Sequence, residues 1–295
     1  MASSQPATGG VPGPRAWSRP GRDEDVPRAA SAVGGGWRNE MNERPESPAP
    51  RGSGQDRRDD LARRLARVRE TVAAACAAAG RDVAEVDLLA VTKTVPAADV
   101  AILCGLGLRD FGENRAQEAA QKVEEVAGLV PDAAPRWFFV GGLQRNKARV
   151  VVPWVTRVES LDSARLADAL DAQARRAVDD GLREGPLPVL LQYSVDGDPD
   201  RGGVAREGLG ALAAHVSGLP GLRLDGLMAV APLGAEPDEA FADVAAAFSA
   251  LRDDHPSARV LSAGMSADLE VAIRHGSTCV RVGTALVGER RIASR

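Results

Sequence analysis

Lysine is nearly missing from this chain. Its 295 residues carry 37 Lys plus Arg, yet only three are lysines, Lys93, Lys122 and Lys147. Arginine serves wherever a generic surface cation will do, so a lysine here points to a need for a primary amine or a compact charge. Lys122 falls in a polar helical stretch and reads as ordinary surface; Lys93 and Lys147 need another explanation. Long apolar runs are also missing: none reaches the roughly 20 residues of a membrane helix. The first residues, MASSQPATGGVPGPRAWSRPGRDEDVPRAA, hold no apolar signal-peptide core. A soluble cytoplasmic protein with no membrane partner is expected. Cys76, Cys104 and Cys279 form no CxxC pair, so they are expected to be reduced, buried side chains, with no metal site. A net charge of −4 makes no electrostatic case for a nucleic-acid partner.

Residues 1–56 are rich in Gly, Pro, Ser, Arg and Asp and lack hydrophobic periodicity. Such a stretch buries too little apolar surface to offset chain ordering and is expected to be a disordered tail. Trp17 and Trp37 are isolated in it, and Met41 offers an alternative start. Residues 57–295 read as the folded domain. Leu61, Leu65, Val68, Val72 and Cys76 recur at helical spacing, and Gly80 supplies a stop. Strand and helix patterns then alternate. The spacing predicts strands over 86–93, 109–114, 136–143, 157–161, 188–195, 222–230, 258–265 and 279–288. Helices are predicted between them, one opened by Pro96, one capped by Ser163 and one by Ser266. Several strands are continuous apolar runs, as parallel strands buried on both faces require. The pattern predicts a single α/β (β/α)8 TIM barrel, with the leading helix standing in for the one that usually follows strand eight. An open doubly wound sheet is the alternative, but no GxGxxG follows the first strand.

Barrel enzymes and binders place their sites at the C-terminal ends of the strands. Lys93 ends the first predicted strand. Desolvation at an apolar barrel mouth disfavours an ammonium, and a neutral amine attacks an aldehyde to form a Schiff base. A salt bridge from Lys93 to Glu113 is the plainer alternative. The loops after strands seven and eight are a common phosphate site in such barrels. There, SAGMSADLE places Ser266 at a helix start, and RVGTALVG places Gly283 and Thr284 opposite. An amine facing a phosphate cradle suits a ligand with an aldehyde and a phosphate at opposite ends of a ring. Arg281, two residues before Gly283, would face the far edge of that ring, where it would weaken the ring as an electron sink. An arginine paired with an acid inside the barrel is the competing reading.

Six segments then carry a resemblance. AVTKTVPAADV (90–100), FGENRAQE (111–118), GGLQRNKAR (141–149), GLM (226–228), LSAGMSADLEVAI (261–273) and VRVGTALVGER (280–290) occur in this order. Together they resemble the pyridoxal phosphate homeostasis proteins, the YggS/PROSC group, over about Leu61 to Arg290. The resemblance implies a barrel like the N-terminal domain of alanine racemase, with pyridoxal 5′-phosphate held as a Schiff base on Lys93. It implies phosphate binding at Ser266, Gly283 and Thr284, Arg281 near the pyridine nitrogen, and Asn114 and Met228 lining the pocket. Lys147 matches a family lysine outside the Schiff base, with its role open. The family implies a carrier or buffer of the cofactor in vitamin B6 homeostasis, with apo forms of pyridoxal phosphate enzymes as partners and no catalytic residues. A third-strand segment that usually reads WHFIGHLQSNK here has Phe138 and Gly142 in place of histidines and Arg145 in place of a small polar residue; Ala263 replaces a usual methionine.

The alternative is a pyridoxal phosphate-dependent amino acid racemase or lyase. Racemisation needs acid–base groups on both faces of the cofactor. The chain ends soon after strand eight, so the β-rich second domain of alanine racemase is not expected, nor its tyrosine. Tyr193, the only tyrosine, and His215, His255 and His275 fall at positions poorly suited to a base. A Schiff-base aldolase without cofactor is a third reading. A monomer is expected.

Overall fold

The computed structural model describes residues 53–288, apart from 94, 199, 200 and 233. The expectations for the tail, Trp17, Trp37 and Met41 lie outside the described residues. Eight parallel strands close into a barrel in sequence order among those residues. They are β1 (Asp87–Val91), β2 (Asp110–Glu113), β3 (Arg136–Phe139), β4 (Arg157–Leu161), β5 (Leu187–Tyr193), β6 (Leu222–Ala229), β7 (Val260–Ser262) and β8 (Cys279–Val282). Helices α1 (Ser53–Ala78), α2 (Ala97–Gly105), α3 (Ala116–Leu129), α4 (Ala148–Val151), α5 (Ala164–Asp179), α6 (Arg206–Ser217), α7 (Pro237–Asp254) and α8 (Leu269–Arg274) form the outer ring. The expected (β/α)8 barrel is therefore the fold.

The leading helix fills the gap in the ring. Leu61, Leu65, Val68, Val72 and Cys76 are buried. They share a core with Val100 and Leu103 of α2, Ile273 of α8, and the outward faces of β1 and β8. Each such side chain contributes about 1.5–3 kcal/mol by leaving water. The helix starts at Ser53, inside the stretch read as tail. Its first turns belong to the domain: Arg57 donates to Asp99 Oδ2 at 2.6 Å and to the carbonyl of Val287 at 2.9 Å.

Strand ends depart most from the sequence reading. β7 is three residues long, because Gly264 turns the backbone at φ +91°. A Cβ at Gly264 would lie 2.5 Å from that of Ala272. The apolar run after Val282 is not strand: Gly283 breaks the ladder, and Thr284–Val287 form a short helix, α9. β1 likewise stops at Val91, leaving Thr92 and Lys93 in the loop beyond it. Ser163 occupies the N-cap of α5 without a side-chain cap bond. Ser266 is not a cap: it lies in a turn ahead of α8, whose N-cap is Asp268. The Asp268 carboxylate accepts from the N–H of Met265 at 2.5 Å and closes that turn.

Candidate functional site

Thr92 shows how the chain fixes the base of Lys93. Its N–H donates to the carbonyl of Gly112 at 2.9 Å. Its hydroxyl donates to Glu113 Oε1 at 2.7 Å, and its carbonyl accepts from Lys122 Nζ at 2.7 Å. Lys122 Nζ also pairs with Glu113 Oε1 at 2.8 Å, with the two side chains 11% and 1% exposed. This corrects two expectations. Lys122 is not ordinary surface but a brace behind the barrel wall. Glu113 is engaged by Lys122 and Thr92, and no bond joins it to Lys93. The backbone before Lys93 is thus pinned on three sides while the Lys93 side chain is exposed and, among the described residues, unpaired. The desolvation expected at Lys93 is therefore not supplied by the protein alone.

Lys93 lines a cavity of about 600 Å³ at the C-terminal mouth of the barrel. Asn114, Ser266, Arg281, Gly283 and Thr284 line the same cavity. Six of the seven residues singled out from the sequence therefore meet in one place. Met228 does not: it is 1% exposed, in register with Ser262, and absent from the lining. Leu227 belongs to the outer core, so strand alternation turns Met228 into the barrel lumen. The sequence reading missed the apolar wall of Val91, Val140, Val230 and Val287, and Ala267 beside Ser266. Alternation within each strand was the signal available for the first three. Gly141 is also part of the lining; a Cβ there would lie 2.6–2.8 Å from atoms of Asn114, so the two loops meet only because position 141 is glycine.

The polar lining has one chemical bias. It offers an amine, a guanidinium, an amide and two hydroxyls, and among the described residues it contains no carboxylate. Arg281 is 5% exposed, and its Nη atoms donate to the carbonyl of Ser262 at 2.6 Å, to Ser262 Oγ at 2.8 Å and to the carbonyl of Ala229 at 2.7 Å. The arginine–acid pairing weighed for Arg281 is thus indirect. The acid, Glu159, is one hydroxyl away, accepting from Ser262 Oγ at 2.6 Å. A neighbouring cavity of about 290 Å³, lined by Lys147, Gln144 and Gly142, shares Asn114 with the first.

The candidate bases lie elsewhere. The Tyr193 hydroxyl donates to Asp243 Oδ2 at 2.5 Å and packs in the layer between sheet and helices. Burial, then that carboxylate, pushes its acidity down, raising its pKa. His215 pairs with Asp168 and His275 with Asp238, while His255 meets Ser217, all outside the lining.

Residues 64–291 match the family described as alanine racemase, N-terminal domain. A pyridoxal phosphate homeostasis protein of Mycobacterium leprae is 47% identical over 247 residues, covering 81% of this chain and 96% of that protein. The chain belongs to this family of pyridoxal phosphate homeostasis proteins. Among solved structures, PipY of Synechococcus elongatus with pyridoxal phosphate bound is 33% identical at a TM-score of 0.66, covering 77% of this chain and all of that one (100%). Alanine racemase of Corynebacterium glutamicum shares the fold alone, with 15% identity and a TM-score of 0.57 over 81% of this chain and 62% of that one. The family resemblance read from the six sequence segments is thereby established. No helix among the described residues is long and apolar enough to cross a membrane.

Proposed function

We propose that this chain binds pyridoxal 5′-phosphate through Lys93 and carries or buffers it rather than turning over a substrate. The observation that carries the reading is the carboxylate-free cavity in which Lys93 and Arg281 meet the hydroxyls of Ser266 and Thr284. These residues fit the group. Ser266 and Thr284, with the backbone N–H groups of their turns, are donors suited to a phosphate. The Val91, Val140 and Val230 side chains offer an apolar wall for a ring. When bound, the cofactor supplies an aldehyde that an amine can take up covalently. Lys93, pinned at its backbone and free at its side chain, supplies that amine. The names of the relatives and the ligand of PipY support the same reading.

Racemisation or another amino-acid reaction would require a second acid–base group at the cavity. Lys93 and Arg281 are the ionisable side chains in its lining, among the described residues. Arg281 donates to the carbonyls of Ser262 and Ala229, and a guanidinium offers donors but no acceptor. The free, buried cysteines suit a reducing compartment such as the cytoplasm. The partner implied is an apo-enzyme that needs the same cofactor. The test is a visible spectrum of the purified chain, borohydride reduction and peptide mapping. The expected result is a pyridoxyl phosphate mass on the Lys93 peptide, followed by transfer of unreduced cofactor to an apo-enzyme. Trapping that required an added carbonyl substrate would favour an aldolase, and turnover of an amino acid would favour the racemase or lyase alternative.

A further inference from the structure

The lumen beneath the cavity contains a chain of charged groups that the binding scheme does not use. Arg157 donates to Glu159 Oε1 at 2.6 Å and lies over the Phe138 ring, 4.7 Å from its centroid. The other Glu159 oxygen accepts the Ser262 proton at 2.6 Å, and Ser262 Oγ accepts from Arg281 at 2.8 Å. Glu159 and Ser262 are both 0% exposed. A serine hydroxyl has one proton. Because Glu159 takes it, the lone pairs of Ser262 are left for Arg281, and the direction of the relay is fixed. A guanidinium has five N–H donors. Three bonds hold Arg281 within the chain, leaving its Nε–H and one Nη2 hydrogen without a partner among the described residues. Arg281 is part of the cavity lining, so those donors are available to a ligand.

Arg157 bonds Glu159 directly and Arg281 reaches it through Ser262, while Asp225 also attracts Arg157. Cys279, the thiol beside them, adds no negative charge, because burial, then Glu159, pushes its pKa up to about 12. A fixed guanidinium in the cavity lining favours an electron-rich acceptor and opposes a protonated one.

We propose that Ser262 and Glu159 are positioning residues that hold Arg281 as a fixed hydrogen-bond donor to the ring nitrogen of the bound cofactor. This rests on the pyridoxal phosphate reading above. Arg281 touches the ligand; Ser262 and Glu159 act through it. Held this way, the ring nitrogen stays unprotonated, which suits storage of the cofactor better than carbanion chemistry.

Glu159→Gln strips the carboxylate from two buried guanidinium groups and endangers the fold, so Ser262 is the better handle. The full chain and its Ser262→Ala and Ser262→Thr variants would be loaded with pyridoxal phosphate carrying ¹⁵N in the ring. The ¹⁵N chemical shift at one fixed pH and the rate of loss of the visible band on dilution would be recorded. In the wild type the shift should be that of an unprotonated, hydrogen-bonded nitrogen. In Ser262→Ala it should move towards the protonated value, with release about tenfold faster; Ser262→Thr should restore both. Should Ser262→Ala not fold, Ser262→Cys, a weak donor of similar size, should displace the shift in the same direction. A variant shift equal to the wild-type value, in either case, overturns the proposal. A wild type that takes up no cofactor overturns the reading beneath it as well.

Discussion

The mouth of the barrel and the lumen below it handle polar groups in opposite ways. In the lumen each charge has an answer within the chain: Arg157 with Glu159, Glu159 with Ser262, Ser262 with Arg281. The N-terminal ends of the strands follow suit, with Arg136 on Asp110 and Arg223 on Asp225. At the mouth, Lys93, Ser266 and Thr284 are exposed and, among the described residues, their side chains have no hydrogen-bonding partners. Buried groups must be satisfied by the fold or they cost stability. Groups left over at a concave surface are satisfied by whatever enters it. On the proposed function, the difference separates residues that hold the barrel together from residues left free for a ligand, and the two sets should respond differently to mutation.

The largest contrast is at Lys93. Lys93→Ala should abolish the visible absorbance of the cofactor-loaded chain while leaving the urea midpoint of the cofactor-free chain unchanged; a retained band breaks the comparison. Lys122→Ala should do the reverse of this on stability. It leaves the Glu113 carboxylate buried without its cation and should cost about 3–5 kcal/mol in urea unfolding. Replacing both partners, with Lys122→Met and Glu113→Leu, should recover most of that loss, which a double-mutant cycle would measure. Thr284→Ala removes one donor to a charged group, worth about 1.5–3 kcal/mol, and should weaken cofactor binding about tenfold to hundredfold in a titration. Removal of the residues before Ser53 should change neither property, since the barrel's contacts described above lie within 53–288; a loss of cofactor uptake would place the leading segment in the site.

The fold was legible because parallel strands buried on both faces leave continuous apolar runs, and their alternation with helices over the chain admits few architectures. The same signal fails at strand ends. Thr284–Val287, TALV, is as apolar as the strand before it, and composition cannot show that Gly283 ends the ladder and starts a helical turn. Ser266 looked like a cap because serine often is one; the cap position fell to Asp268 two residues on. Lys93, Ser266 and Thr284 were readable because strand ends converge in any closed barrel. Lys122 was not. Its role depends on Glu113 pointing outward from β2 towards α3, a contact between elements that no local pattern encodes. The relay from Arg281 to Glu159 spans β8, β7 and β4 and is invisible for the same reason. Met228 shows the converse limit: a motif position can be right about the neighbourhood and still leave the side chain beneath the lining.

The bond from Arg57 to the Val287 carbonyl links residues 230 positions apart. The two walls of the cavity also come from remote parts of the chain, Lys93 just after the first strand and Thr284 just after the last. A nascent polypeptide leaving the ribosome therefore presents the amine long before the cradle opposite it exists. An aldehyde met at that stage would find nothing to retain its phosphate, so stable capture has to wait until the last strand has emerged and the ring has closed.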